Sequence, residues 1–219
     1  MKKVAIFVDW DNLRSTIESI QKHKNFHKFN FNNPNHLALM FQAFLSENEE
    51  IYRIYFYTAP MWPVDDIKST LKKRSKKDQK KFESWLSTSN GRNYTKKVQI
   101  SNNFLKSIVK EDYVALRLGK LNFRGLKSNS YPDFVQKEVD MLFGLDISHI
   151  AYLHLADKVM LFSKDTDVVP AMKVARTNGM EVVLPVFEED DYISEKLVKH
   201  CDIFRKRSLL KIYTKNILV

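Results

Sequence analysis

Two pairs of aspartates stand where short apolar runs end. Asp9 and Asp11 follow one such run, and Asp165 and Asp167 follow another. Alternate residues of an extended chain point the same way, so each pair can place two carboxylates on one side. Converging carboxylates repel one another unless a cation lies between them, and oxygen ligands favour Mg²⁺ or Mn²⁺. The spacing therefore indicates an acidic site for one of these metals.

The apolar runs before these aspartates predict buried strands. Val4–Val8 and Val159–Phe162 are continuous and apolar, as expected of parallel strands that are covered on both faces. Strand and helix patterns alternate along the chain, which predicts a doubly wound, Rossmann-like α/β fold with a mostly parallel sheet and helices on both faces. In such sheets function lies at the carboxyl ends of the strands, near the point where the strand order reverses. Both aspartate pairs are expected at that edge.

The other elements follow from periodicity and from capping residues. Further strands are predicted at Ile51–Thr58, Lys97–Ile100, Val114–Leu118 and Glu181–Phe187. Helices are predicted at Asn12–Gln21, after a cap at Asn35, at Asp65–Leu86, Asp133–Leu155 and Val168–Asn178, and near Ile193–His200. The whole chain, residues 1–219, is interpreted as one domain. Its least regular stretch, at about 90–132, is interpreted as an insertion or a lid.

The predicted helix before the second aspartate pair adds another acid. Lys137 and Asp140 are three residues apart and would share a helical face. Their neighbours are apolar, and an unpaired carboxylate is costly to bury there. Asp140 is therefore either half of a structural ion pair with Lys137 or a further ligand of the metal site. Asp146, later in the same segment, is interpreted as structural.

Helix capping is the competing explanation for each acid. Asp11 or Asn12 could cap the first helix, and Asp165 or Asp167 could cap the helix that begins near Val168. One acid at each strand end is enough for a cap, so capping does not explain why two are present. From the residues alone both explanations stay open.

Three segments in order and spacing resemble the NYN domain of the PIN-like nuclease superfamily, in its bacterial branch. They are VAIFVDWDN, QKEVDMLFGLDI and VMLFSKDTDVVPAMKVARTNGMEVVL, and YVALRLGKLNFRG looks like the strand before the second of them. The resemblance covers about residues 4–184. It implies a metal-dependent endoribonuclease that uses Mg²⁺ or Mn²⁺ to hydrolyse RNA phosphodiesters, leaving 5′-phosphate and 3′-hydroxyl ends.

The same resemblance implies roles for individual residues. The metal ligands, which are also the catalytic carboxylates, would be Asp9, Asp140, Asp165 and Asp167. Asn12 would join the catalytic site as a hydrogen-bonding residue, Ser163 would contact the scissile phosphate, and Lys137 would pair with a phosphate or a carboxylate. The family often has Gly where Lys164 stands and an aromatic residue where Val168 stands. Lys164 would then either add a phosphate contact or crowd the loop.

Two other functions stay open at this point. The string IFVDWDN also resembles the first motif of haloacid-dehalogenase-like phosphatases, in which one Asp is the nucleophile and the next but one is an acid. Those enzymes need a flexible turn and a hydroxyl shortly after the pair, whereas Asn12, Leu13 and Arg14 run directly into a predicted helix. The second alternative is a nucleic-acid-binding module without catalytic activity.

The charge of the chain favours a polyanionic partner. Its 36 Lys and Arg against 26 Asp and Glu give a net charge of +10, and neutralising phosphates releases counterions. Within the basic segment Lys68–Lys81, we expect the substrate backbone to be bound by Lys72, Lys73, Lys76 and Lys77. Arg124, beside Phe123, lies where basic and aromatic residues alternate, which suits unpaired bases. The predicted partner is RNA that is single-stranded or has unpaired segments; the oligomeric state stays open, with a homodimer among the options.

The composition also bears on location. The single cysteine, Cys201, cannot form an internal disulfide. No apolar run approaches the ~18 residues of a membrane span, and the five apolar residues near the N-terminus are too few for the core of a signal peptide. We therefore expect a cytoplasmic protein without a membrane partner.

Overall fold

A six-stranded parallel sheet forms the centre of the protein, of which the computed structural model describes residues 1–190 and 192–215. The strands are β1 (Lys2–Asp9), β2 (Glu49–Thr58), β3 (Val114–Leu118), β4 (Lys120–Leu126), β5 (Pro132–Lys137), β6 (Lys158–Phe162), β7 (Glu181–Phe187) and β8 (Ile203–Arg207). The sheet has the order β3-β2-β1-β6-β7-β8, while β4 and β5 form a separate antiparallel ribbon. Along β1, Val4, Ile6 and Val8 face one hydrophobic core, and Ala5 and Phe7 face another. Burial on both faces explains the continuous apolar run.

Helices cover both faces of the sheet, which confirms the doubly wound α/β fold. In the described part of the chain they are α1 (Trp10–Lys24), α2 (Pro34–Ala43), α3 (Val64–Arg74), α4 (Lys76–Leu86), α5 (Ser89–Ile108), α6 (Val139–Tyr152), α7 (Val169–Thr177), α8 (Glu195–Val198) and α9 (Leu209–Lys215). One face is covered by α1, α2, α5 and α9, and the other by α6, α7 and α8. Within residues 1–190 and 192–215, no helix has both the length and the apolar character needed to cross a membrane.

A third hydrophobic core lies outside these two layers. It is formed by α3, α4, the first half of α5 and the β4–β5 ribbon, which together we call the satellite. Tyr94 and Val98 of α5 pack in the satellite core, whereas Phe104 and Ile108 of the same helix pack on the sheet. A helix of 20 residues is about 30 Å long. One continuous helix therefore joins the satellite to the sheet.

The helix predicted at Asp65–Leu86 is two helices, and the predicted strand at Lys97–Ile100 is part of α5. Ser75 is extended between α3 and α4, and its hydroxyl accepts a hydrogen bond from the backbone N–H of Asp78. This serine caps α4 and ends the helix before it. The four residues of the predicted strand are too few to outweigh the helical spacing of Tyr94, Val98 and Leu105, all of them buried.

The predicted helix at Asp133–Leu155 begins as a strand. β5 ends at Lys137, and α6 begins only at Val139, because Glu138 between them takes a left-handed conformation with φ 77°. Pairing with β4 holds residues 132–137 extended. Lys137 and Asp140 therefore do not share a helical face, and that prediction is wrong.

Two further predictions concern ends and loops. α2 is capped by Asn33 rather than Asn35, because Pro34 takes the first helical position, where its missing N–H has no cost. The stretch at about 90–132 holds most of α5, all of β3 and β4, and the turn that follows them. Since β3 pairs with β2 in the main sheet, this stretch belongs partly to the sheet and partly to the satellite. Its role as a lid stays a prediction.

An ionic network joins the edge of the sheet at which the strands begin, and it is buried around Glu49, Lys158 and Arg205. Lys2, Glu49, Lys158 and Glu181 are the first residues of β1, β2, β6 and β7. Lys158 lies 2.9 Å from Glu49 and 2.6 Å from Glu181, and Lys2 lies 2.7 Å from Glu181. Arg205 of β8 binds both carboxylate oxygens of Glu49, at 2.7 and 3.0 Å. We call this set the amino-edge network.

Candidate active site at the carboxyl edge of the sheet

The opposite edge of the sheet carries the aspartates. The chain passes from β1 to β2 on one side and later enters β6 on the other side of β1. The strand order thus reverses between β1 and β6, which is where open α/β sheets bind ligands. Asp9 is the last residue of β1, and Ser163 follows the last residue of β6. Both lie at this reversal, as the sequence predicts.

One cavity at this edge brings four carboxylates together. Its volume is about 80 Å³, which leaves room for several water-sized groups. The carboxylates come from the end of β1, the start of α6 and the turn after β6, and they are Asp9, Asp140, Asp165 and Asp167. The rest of the lining is mostly apolar: Val139, Phe143, Gly144, Val168, Pro170 and Ala171. The structure therefore gathers the four predicted acidic residues in one place.

Asp9 is both the cap of α1 and a member of the cavity. One carboxylate oxygen accepts a hydrogen bond from the backbone N–H of Asn12 at 3.2 Å, and the other accepts one from the Ser163 hydroxyl at 3.4 Å. Burial, with smaller contributions from the charges of Asp11 and Asp140, raises the pKa of Asp9 to about 6. The cap predicted at Asp11 or Asn12 is therefore wrong, because Asp9 already occupies that position. Asp11 pairs with Arg14 at 3.4 Å instead and is not part of the cavity lining.

The start of α6 places Asp140. Gly119, between β3 and β4, lies so close to α6 that a Cβ there would be 2.4 Å from a Val139 methyl group and 2.8 Å from the Lys137 carbonyl oxygen. This close approach, together with the left-handed Glu138, sets where the helix begins. Burial, followed by the charges of Asp165 and Asp167, raises the pKa of Asp140. Electrostatic coupling thus links acids that are 25 or more residues apart in sequence.

Ser163 organises the turn after β6. It is buried, its hydroxyl donates to Asp9, and the same oxygen accepts from the backbone N–H of Asp165 at 3.1 Å. Asp165 in turn accepts from the backbone N–H of Asp167 at 2.9 Å, so it caps the short turn before α7. The helix itself, α7, has no side-chain cap, so the cap predicted at Asp165 or Asp167 is displaced by one turn: Asp165 caps residues 166–168. Asp165 caps the turn and lines the cavity at once.

Asn12 and Lys164 hold this turn against α1. The Asn12 amide oxygen accepts a hydrogen bond from the backbone N–H of Lys164 at 3.1 Å. The Lys164 ammonium pairs with Asp190, and neither residue lines the acidic cavity. Asp190 belongs to the acidic run after β7, so its place at the end of another parallel strand was a signal in the sequence. The phosphate contact expected of Lys164 stays a prediction, with its side chain held by Asp190.

The remaining predicted residues lie elsewhere. Lys137 is exposed on β5 opposite Lys120, and Asp146 accepts hydrogen bonds from the Tyr57 hydroxyl and the Arg117 side chain, each at 2.7 Å. The structural role expected of Asp146 agrees with these bonds. The basic residues that the sequence predicted to bind substrate in the satellite are all exposed: Lys72, Lys73, Lys76, Lys77 and Arg124. Among them Lys77 lines a groove that also contains Lys80 and Lys81, two lysines of the same basic segment that were not among the predicted substrate-binding residues.

The donor chemistry of the cavity fits a hard divalent cation. Carboxylate oxygens are the ligands that Mg²⁺ and Mn²⁺ prefer. Burial and neighbouring acids raise the pKa values of Asp9 and Asp140, and a cation would favour their charged forms. Across residues 1–190 and 192–215, however, no three acidic, histidine or cysteine side chains stand close enough to form a ready ligand set. The residues fit the metal by type and grouping; the side chains would have to close around it.

The fold and the acidic edge define a doubly wound α/β domain with a carboxylate site at its reversal point. The NYN domain model matches residues 3–210, and the chain therefore belongs to the NYN domain family, a family of nuclease-type domains. The chain also resembles, at 16% identity and a TM-score of 0.50, a crystal structure of a protein of unknown function from Vibrio parahaemolyticus, over 94% of this chain and 92% of that one. This likeness concerns the fold. No curated protein matches the sequence.

Proposed function

We propose that this protein is an endoribonuclease that hydrolyses RNA phosphodiesters with the help of Mg²⁺ or Mn²⁺. The observation that carries the proposal is the grouping of Asp9, Asp140, Asp165 and Asp167 around one cavity at the reversal point of the sheet. Family membership in a nuclease-type domain supports the same reaction class. The four carboxylates would hold the metal, which, when bound, lowers the pKa of water and offsets charge on the phosphate.

The chain's own residues prepare this site. Ser163 fixes the carboxylate of Asp9 through its hydroxyl and fixes Asp165 through the backbone. Asn12 holds the turn after β6 through the Lys164 amide. Asp9 is the most desolvated of the acids, whereas Asp140 and Asp167 are exposed to solvent. The hydrogen bonds of Ser163 hold Asp9 and Asp165 at the mouth of the turn after β6, and the acidic side chains would then close around the metal.

A nucleic-acid-binding module without catalytic activity is the second candidate. The observation that favours it is the lack of a ready set of three ligand side chains within the described residues. The haloacid-dehalogenase-like alternative lacks support, because α1 begins at Trp10, directly after Asp9, and leaves no flexible turn. Family membership also separates the chain from that class.

Cleavage of an unstructured RNA with Mg²⁺, Mn²⁺ or EDTA tests the proposal. We expect cleavage with either metal and none in EDTA. Asp9→Asn keeps the size and the helix cap but removes one charge from the cavity, so the rate should fall by ~10² or more. Asp11→Asn, which removes a neighbouring acid outside the cavity, is the matched control and should retain most of the activity. RNA that is bound but left intact with every metal would favour the binding module.

A further inference from the structure

A second concave surface lies on the satellite, away from the carboxylate cavity. It is a groove of about 640 Å³. The lining residues are Lys77, Lys80, Lys81, Ser84, Trp85, Thr88 and Ser130. Lys77, Lys80, Lys81 and Ser84 recur at the spacing of a single helical face. One side of α4 therefore forms a continuous basic wall.

The positive charge of this wall is largely uncompensated. The lining contains three ammonium groups and no carboxylate. Across the described chain, Lys77 and Lys80 form no ion pair, and Lys81 lies 3.9 Å from Asp78, in a long exposed pair. Lys77 and Lys81 are four residues apart on a helix, where like charges destabilise. A bound polyanion would remove this repulsion.

The chemistry of the lining fits a sugar-phosphate chain. Ser84 and Ser130 add hydroxyl groups beside the lysines, and such groups commonly bind phosphate and sugar oxygens. The Thr88 hydroxyl caps α5 instead, because it donates to the Trp85 carbonyl at 2.6 Å and accepts from the Gly91 N–H at 3.2 Å. Trp85 is only 8% exposed and lies against Phe82, Tyr94 and Tyr131, so its ring is not free to stack on a base. The groove offers contacts to the backbone of a nucleic acid and none that depend on the base.

The place of the groove suits a substrate that also reaches the acids. The satellite leaves the sheet after β2 and β3, at the carboxyl edge, and the ribbon returns through Lys137 to α6, whose second residue is Asp140. Ser130 lies in the turn at the far end of this ribbon. A strand of seven residues spans on the order of 20 Å. A chain that occupies both places would have to be several nucleotides long.

We propose that the groove formed by Lys77, Lys80 and Lys81, with Ser84 and Ser130, binds the phosphodiester backbone of single-stranded RNA. The inference deepens the proposed function and rests on it for the identity of the substrate, because it adds a holding site away from the site of cleavage. Binding there is independent of base sequence. Of the four lysines that the sequence predicts to bind the substrate backbone, Lys77 belongs to the groove, while Lys72, Lys73 and Lys76 lie outside it.

Two charge-matched triple variants test the groove. The probe is a fluorescein-labelled, unstructured 20-nucleotide RNA, and binding is followed by anisotropy in EDTA over a series of salt concentrations. K77Q/K80Q/K81Q should weaken binding about tenfold or more and flatten the salt slope by about 2, at ~0.7 per phosphate contact. K72Q/K73Q/K76Q removes the same charge outside the groove and should change affinity less than threefold. Equal losses in the two variants would overturn the proposal, because only total charge would then matter.

Two further variants guard against an effect of folding. Gln is a good helix former, so the circular dichroism spectrum of K77Q/K80Q/K81Q should match that of the wild type. K77R/K80R/K81R keeps the charge and should bind as the wild type does. If K77Q/K80Q/K81Q does not fold, K80Q alone should still flatten the salt slope by ~0.7. A slope unchanged in folded K80Q would overturn the proposal.

The readout also separates the groove from the active site. Binding is measured in EDTA, so an RNA that is bound through the groove but never cleaved would overturn the proposed function and leave the groove in place. If the wild-type protein cleaves RNA and K77Q/K80Q/K81Q binds RNA as tightly as the wild type, the proposed function stands and the groove proposal is overturned. Wild-type protein that binds phosphatidylserine vesicles but not RNA, with vesicle binding lost in K77Q/K80Q/K81Q, would also overturn the proposal.

Discussion

The two edges of the six-stranded sheet place carboxylates in opposite electrostatic environments. At the amino edge, Glu49 is buried between Arg205 and Lys158, and their hydrogen bonds outweigh its desolvation and lower its pKa to about 2. At the carboxyl edge, Asp9 is buried beside other acids, and its pKa is raised to about 6. One acid stays charged over almost the whole pH range, and the other can bind a proton near neutrality.

The comparison shows how pairing, rather than burial alone, decides the role of an acid. Desolvation raises the pKa of both residues, but only Glu49 has cations within hydrogen-bonding distance. Lys164, which could have compensated the acidic cavity, pairs with Asp190 instead. The amino edge therefore supports the fold, while the carboxyl edge keeps a cluster of negative charge that a cation would stabilise.

The largest effect is expected at the amino edge. Glu49→Gln leaves the Arg205 and Lys158 charges buried without their shared partner, and we expect the free energy of unfolding to fall by about 3–5 kcal/mol. Urea unfolding at pH 7 measures the change. Glu50→Gln, at the exposed neighbouring position, is the control and should change stability by less than about 0.5 kcal/mol. Equal midpoints for the two variants would contradict the role given to the network.

The two edges should respond to pH with opposite signs. In metal-free protein, the raised pKa of Asp9 contributes stability at low pH that is lost as pH rises from about 4 through 6, by at most about 3 kcal/mol. The lowered pKa of Glu49 contributes stability above about 4.5 that is lost as pH falls toward 2. Chemical unfolding between pH 3 and 8 should show a maximum near pH 4–5. Asp9→Asn should reduce the loss of stability above that maximum. If this variant loses as much stability as the wild type, groups other than Asp9 are responsible.

Added metal should compensate the negative charge at the carboxyl edge, as Arg205 and Lys158 already do for Glu49 at the amino edge. Mn²⁺ or Mg²⁺ bound to the native state stabilises it by about 2.7 kcal/mol at a hundredfold excess over the Kd, so thermal unfolding at pH 7.5 should shift upward. The upward shift of the unfolding temperature should be smaller at pH 5, because a proton then competes with the metal for the Asp9 carboxylate. Asp140→Asn should reduce it, whereas Asp11→Asn should not. A shift of the same size in both variants would place the ion elsewhere.

The smallest effect is expected at the entry to α6. Glu138 has φ 77° without being glycine, and a left-handed residue costs roughly 1–2 kcal/mol. Glu138→Gly relieves this cost but loses the 3.2 Å pair with Lys120, so a net gain of up to about 1 kcal/mol is expected. Glu138→Ala loses the pair and keeps the strain, and should be less stable than the wild type. If both variants are equally stable, backbone conformation does not matter at this position.

Most of the sheet and its acids could be predicted from local sequence. β1, β6 and β7 are continuous apolar runs, because both faces of each strand are buried, and such runs have few other interpretations. The aspartates follow the runs directly, so their place at one edge comes from chain order and parallel pairing. The predictions that failed lie in the satellite and its borders, where Ser75 divides a helix and pairing with β4 holds residues 132–137 extended.

What the sequence alone determined is the doubly wound fold and the position of two aspartate pairs at strand ends, while the resemblance to the NYN domain added Asp140 to them as an expected ligand. Tertiary structure decided which charges meet. Lys164 stands beside Asp165 in sequence but pairs with Asp190, and Glu49 meets an arginine 156 residues away. The way α4 packs on the satellite turns Lys77, Lys80 and Lys81 toward one groove, whereas Lys76 lies outside it. Local patterns fix the direction of a side chain relative to its own strand or helix, whereas an electrostatic partner depends on how elements distant in sequence pack together.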